Sequence, residues 1–129
     1  MNTVHDNEIL SYLVDLKNER IMFHTQHRNS TIIKNIDILF TDVLAHYFED
    51  ELHGSIILDI YSYDIDSFIA DNTELLINGK DNSWPMNYST LAELTIKLTK
   101  EQYHYYAITA SYGLSGWVLS KHYETKESQ

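Results

Sequence analysis

Residues 36–44, "IDILFTDVL", put Ile36, Ile38 and Phe40 on one side of an extended chain and Asp37, Leu39 and Thr41 on the other. Successive side chains of a strand point to opposite faces, so a period of two commits the segment to a half-buried strand. The same period recurs in "RIMFHTQH", 20–27, where Ile21, Phe23 and Thr25 oppose Met22, His24 and Gln26. "ILSYLVDL", 9–16, precedes it across the polar "KNE", which predicts a β-hairpin. The third strand continues to about Phe48 and then turns. "SIILDIYSY", 55–63, is β-branched and aromatic and predicts a fourth strand.

One stretch abandons this period. Asp66 is placed to cap a helix whose apolar positions are Phe68, Ile69, Leu75, Leu76 and Ile77, and Asn78-Gly79 suits its C-terminal end. Pro85 follows in a loop. Thr90 and Glu93 then have capping-box spacing, with Leu91, Leu94, Thr95 and Leu98 on one helical face. Strands return at 103–111, "YHYYAITAS", and 116–123, "GWVLSKHY". The order is ββββααββ, an α+β pattern: one mostly antiparallel sheet of about six strands with two helices packed on one face. At 129 residues this is a single domain, with about 1–7 and 124–129 expected to fray.

Charge narrows the partners. Nine Lys and Arg stand against nineteen Asp and Glu, a net charge of −10. Nucleic-acid and anionic-membrane binding both draw on clustered cations, so neither is expected. An acidic chain repels its own copies in solution, or meets a basic partner through electrostatic steering. There is no cysteine, which excludes disulfides and thiolate metal sites. "MNTVHDNEIL" is no signal sequence and no apolar run reaches a membrane span, so a cytoplasmic protein is expected. The sequons at Asn29 and Asn87 are then fortuitous.

Candidate chemistry is sparse. His46, Glu49, Asp50 and His53 would share a face only on a helix, and the histidines lie seven apart rather than four; an ordinary turn is the better reading. His24, His27, His104 and His122 fall on predicted strands, and strand pairing could bring His24 to His104. Asp15, Asp37, Asp42, Asp59, Asp64 and Asp66 lie on or beside strands, but no two are paired by spacing for acid–base work. No serine has a nucleophile-elbow setting, and Gly113 and Gly116 in "SYGLSGW" lack the lysine and helix of a phosphate loop. Those glycines instead suit a turn joining the last two strands, with Leu114 as an unusual apolar turn residue. No catalytic, cofactor or metal residue is assigned.

Three pieces, "NIDILFTDVLAHYFEDELHGSIILDI", "WPMNYSTLAEL" and "YAITASYGLSGWVLS", resemble a group of small bacterial cytoplasmic proteins. Some similar small acidic proteins look like immunity proteins, which neutralise a partner toxin. The resemblance brings no catalytic residues with it. It implies a non-enzymatic binding domain that meets a basic toxin or enzyme. Ten tyrosines, which suit both half-buried strands and interfaces, add to that reading. The expected contact residues are Glu49, Asp50, Glu51, Trp84, Tyr112, Leu114 and Trp117. The alternative is a small-ligand or enzymatic domain with a sheet–helix pocket at His24 or His104; a third is self-association.

Overall fold

A computed structural model describes residues 3–28 and 31–128. Six strands appear: β1 (Glu8–Asp15), β2 (Arg20–Arg28), β3 (Ile33–Glu49), β4 (Ile56–Tyr63), β5 (His104–Tyr112) and β6 (Ser115–Glu127). Three helices, α1 (Ile65–Asp71), α2 (Thr73–Gly79) and α3 (Leu91–Lys100), lie between β4 and β5. All strand pairs are antiparallel, and the sheet closes as a barrel in the order β1-β2-β3-β6-β5-β4. Among the described residues no helix is long and apolar enough to cross a membrane.

The barrel forms because β3 is long and bends. Its first half pairs with β2, from Arg28↔Ile33 to Arg20↔Thr41. At Asp42 the backbone turns left-handed, with φ 53°, and Val43 N–H donates to the Glu19 carbonyl instead of continuing that ladder. The register with β6 slips between Val43 and Ala45. Such bulges bend and twist a strand, which curls the sheet on itself. Closure is narrow, since β1 meets β4 in register only at Glu8↔Ile56.

Two cores result. Ile21, Phe23, Ile38, Phe40, Ile57, Ile108 and Val118 fill the barrel. On the outer wall, Ala45, Tyr105, Trp117 and Leu119 pack against Ile65, Phe68, Leu76, Leu94 and Leu98 of the helices. β5 and β6 are therefore covered on both faces. α3 begins as its spacing predicts: Thr90 Oγ1 accepts from Glu93 N–H at 3.1 Å, and Glu93 reaches back to Ser89 N–H at 3.3 Å.

Three expectations need correction. The predicted single helix over 66–77 is two helices. Asn72 departs from helical geometry and turns its side-chain amide onto the Phe68 carbonyl at 3.0 Å, the local competition that disfavours Asn inside helices. The cap of α1 is Asp64, not Asp66, and accepts from Ser67 N–H at 2.8 Å. Gly79 stays in helical geometry; a Cβ there would come within 2.8 Å of the Trp84 ring, so close packing rather than a left-handed turn requires it. Asn7 is fully buried, and β6 runs to Glu127 opposite Ile36. Met1, Asn2 and Gln129 lie outside the described residues, as does Asn29 of the first sequon.

Candidate functional site

The net charge of the chain resides in one segment. From Asn35 to Gly79 there are ten carboxylates and no Lys or Arg, while the remaining nine carboxylates balance nine cations. This run was readable in the sequence by counting cations in a window. It builds β3, β4, α1 and α2. Two of its carboxylates meet histidines: Asp37 Oδ1 lies 2.9 Å from His24 Nδ1, and Asp42 Oδ2 lies 3.3 Å from His122 Nε2. Asp64 is taken up by the α1 cap, whose backbone donor from Ser67 holds its carboxyl below the usual range. Asp59 Oδ1 accepts from Ile60 N–H at 2.9 Å.

On the helix flank two of the remaining carboxylates, Asp71 and Glu74, lie beside an exposed aromatic. Tyr47, Asp71, Asn72, Glu74, Leu75 and Asn78 line an open cleft of about 330 Å³. The bend of β3 turns Tyr47 outward toward the helices, and its ring lies over Trp117 at 6.4 Å between centroids, inclined by 20°. Asp71 Oδ2 accepts from Tyr105 O–H at 3.2 Å. Neither Asp71 nor Glu74 has a cationic partner among the described residues. Glu49 follows two residues after Tyr47 and shares its side of the strand. An aromatic face, two carboxylates and amide groups suit a lysine or arginine side chain.

A second cleft, about 410 Å³, opens where β1 and β4 diverge. Ile9, Leu10, Ser11, Tyr12, Glu51, Leu52, His53, Ser55 and Leu114 line it. Tyr12 O–H donates a short hydrogen bond to Glu51 Oε2. That bond, with burial, pushes the Tyr12 phenol up to about 12.

The expected contact residues divide between surface and core. Glu49, Asp50, Glu51 and Tyr112 are exposed. Leu114, at 1 % exposure, and Trp117, at 5 %, are buried and present no anchor. Leu114 folds back on the barrel core, its N–H bound to Ser55 Oγ at 3.0 Å. Trp84 is half-buried, 6.0 Å from the Trp117 ring. Tyr47, Asp71 and Glu74 escaped the sequence reading because nothing local says which face of β3 the helices leave uncovered.

Strand pairing does not bring His24 to His104. His24 on β2 and His104 on β5 are separated by β3 and β6. His104 and His122 instead line a sheet–helix cleft of about 740 Å³ with Tyr63, Asp64, Asp66, Thr99, Tyr103 and Lys121. His46 lies on a strand against Phe48, 4.9 Å between ring centroids, so the helical face imagined for residues 46–53 does not exist. Burial pushes its imidazole pKa down. Among the described residues no three His, Asp or Glu side chains converge as a metal site.

Compared with known proteins, the chain matches no family, and neither a curated protein nor a solved structure matches it significantly. The resemblance drawn from its three sequence pieces rests on those residues alone.

Proposed function

We propose that the chain is a non-enzymatic protein-binding domain of the immunity type, docking on a basic toxin or enzyme through the flank around Tyr47, Asp71 and Glu74. The observation that carries this reading is the cation-free run from Asn35 to Gly79, which holds the whole net charge. Such an excess of one sign raises the encounter rate with a cationic surface, and an aromatic beside Asp71 and Glu74 supplies contact area. Asp71 and Glu74 would receive cationic side chains, with Tyr47 as the anchor. The test is to use the chain as bait in a lysate of the cells that make it, then assay the retained proteins. A basic protein whose activity falls on adding the chain supports the reading; retention of acidic or neutral proteins only counts against it.

A second reading is kept for the sheet–helix cleft, because His104, His122 and Lys121 share it. A small anionic or polar ligand would raise the melting temperature, and His104→Ala would remove that rise.

A further inference from the structure

We propose that the open edge of β1 is a two-fold interface with a second copy of this chain. β1 has β2 along one side. On the other it reaches β4 in register only at Glu8↔Ile56, with Ile9 N–H donating to the Ser55 carbonyl, and among the described residues no strand pairs with it from Ser11 to Asp15. Unpaired edges template further pairing unless lysine, proline or a covering segment blunts them. Between Glu8 and Leu16 this strand has neither Lys nor Pro, and its charges stand at its two ends, Glu8 and Asp15. Leu10, Leu13 and Leu16 are exposed, Leu13 by 63 % and Leu16 by 80 %.

The surface is also complementary to itself. At one end of the edge, Leu10 and the exposed Leu52 border the cleft floored by Leu114. At the other end, Leu16 stands out from the β1–β2 turn. An antiparallel pairing about Leu13 sets Ser11 opposite Asp15, which keeps each side chain on its own face of the shared sheet. It also brings Leu16 of each copy toward the Leu10–Leu52 cleft of the other, as a two-fold interface demands.

Charge agrees with this register. Lys17 follows Leu16 and Arg20 closes the turn, while Glu51 lines the receiving cleft with Asp50 just before it. The rotation therefore sets cations against carboxylates twice. Residues 8–34 hold four cations and three carboxylates, so the repulsion expected of this acidic chain is weakest here. The edge is separate from the Tyr47 cleft, and the inference does not depend on the function proposed above.

Sedimentation equilibrium of the full chain, at concentrations up to about 1 mM, tests it. The expected mass rises from 15.1 kDa toward twice that value. Leu13→Lys, at an exposed position, weakens the dimer by about tenfold or more. It leaves the circular dichroism spectrum and melting temperature of the monomer unchanged. Lys17→Glu and Glu51→Lys each weaken the dimer, and the double variant restores it, because the exchanged charges again face each other. Asp71→Lys with Glu74→Lys leaves it intact. A mass of 15.1 kDa at every concentration overturns the proposal. So does a dimer that Leu13→Lys and Lys17→Glu leave unaltered, or a double variant no better than the singles.

Discussion

Tyr47 rests on Trp117, with ring centroids 6.4 Å apart and planes inclined by 20°. Trp117 is buried in the helix-side core, while Tyr47 is exposed beside Asp71 and Glu74. The tryptophan thus fixes the tyrosine that would meet a partner. Tyr47→Ala is expected to leave the melting temperature within a few degrees of the parent and to abolish retention of the basic partner. Trp117→Ala should cost about 3–5 kcal/mol in denaturant unfolding, the range for a truncated core aromatic. Equal destabilisation by both variants would contradict this division of roles.

Gly116 sits against the backbone of β3. A Cβ there would strike the Tyr47 carbonyl and lie 2.9 Å from Phe48 Cα. Backbone gives way far less than the tip of a side chain. Gly116→Ala is therefore expected to destabilise by about 3 kcal/mol or more. Urea denaturation measures it, and a loss below about 1 kcal/mol would show that β3 shifts readily.

The Tyr12–Glu51 bond has a pH signature. Glu51 accepts from the neutral phenol, and with burial this raises the Tyr12 pKa from 10.0 to about 12. A raised folded pKa contributes stability that is complete below the unfolded value and lost as pH climbs through the folded one. Loss is thus expected between pH 10.0 and about 12. Glu51→Gln, followed by phenolate absorbance, should bring one tyrosine down toward its ordinary value. An unchanged titration curve would refute the assignment.

His46 acts at the other end of the scale. Burial favours its neutral form and lowers its pKa from 6.5. The stability it contributes is present above 6.5 and lost as pH falls through the lowered folded value, because the unfolded chain binds the proton first. His46→Gln should flatten the fall in stability on the acid side of pH 6.5, measured by urea titration at several pH values. A slope equal to that of the parent would remove His46 from the acid response.

Much of this fold was legible where one face of a strand is buried and the other wet. Ile21, Phe23, Ile38 and Phe40 recur at every second position of their strands and enter the barrel core. The α3 cap was legible because Thr90 and Glu93 act over a single turn. Closure was not: β3 pairs with β6 across most of the chain, Ile36 opposite Glu127, and β1 meets β4 at Glu8↔Ile56, and nothing local encodes either register. Trp117, an expected contact residue, lies instead in the helix-side core. The consecutive apolar run Trp117-Val118-Leu119 was the contrary signal, since a strand buried on both faces need not alternate. The Tyr47 cleft depends on how β3 bends at Asp42, a left-handed turn at a non-glycine residue that no residue pattern announces.

The central claim is that the flank around Tyr47 binds a basic protein through Asp71 and Glu74, which have no cationic partner among the described residues. Its most direct test compares two charge-reversed baits in the same lysate, at low and moderate salt. One has Asp71→Lys with Glu74→Lys; the other has Glu124→Lys with Glu127→Lys on β6, outside the cation-free run. The predicted result is that the parent and the β6 variant retain the same basic protein, less of it as salt rises, and that the flank variant retains none. Retention of that protein by the flank variant at parental levels would contradict the account.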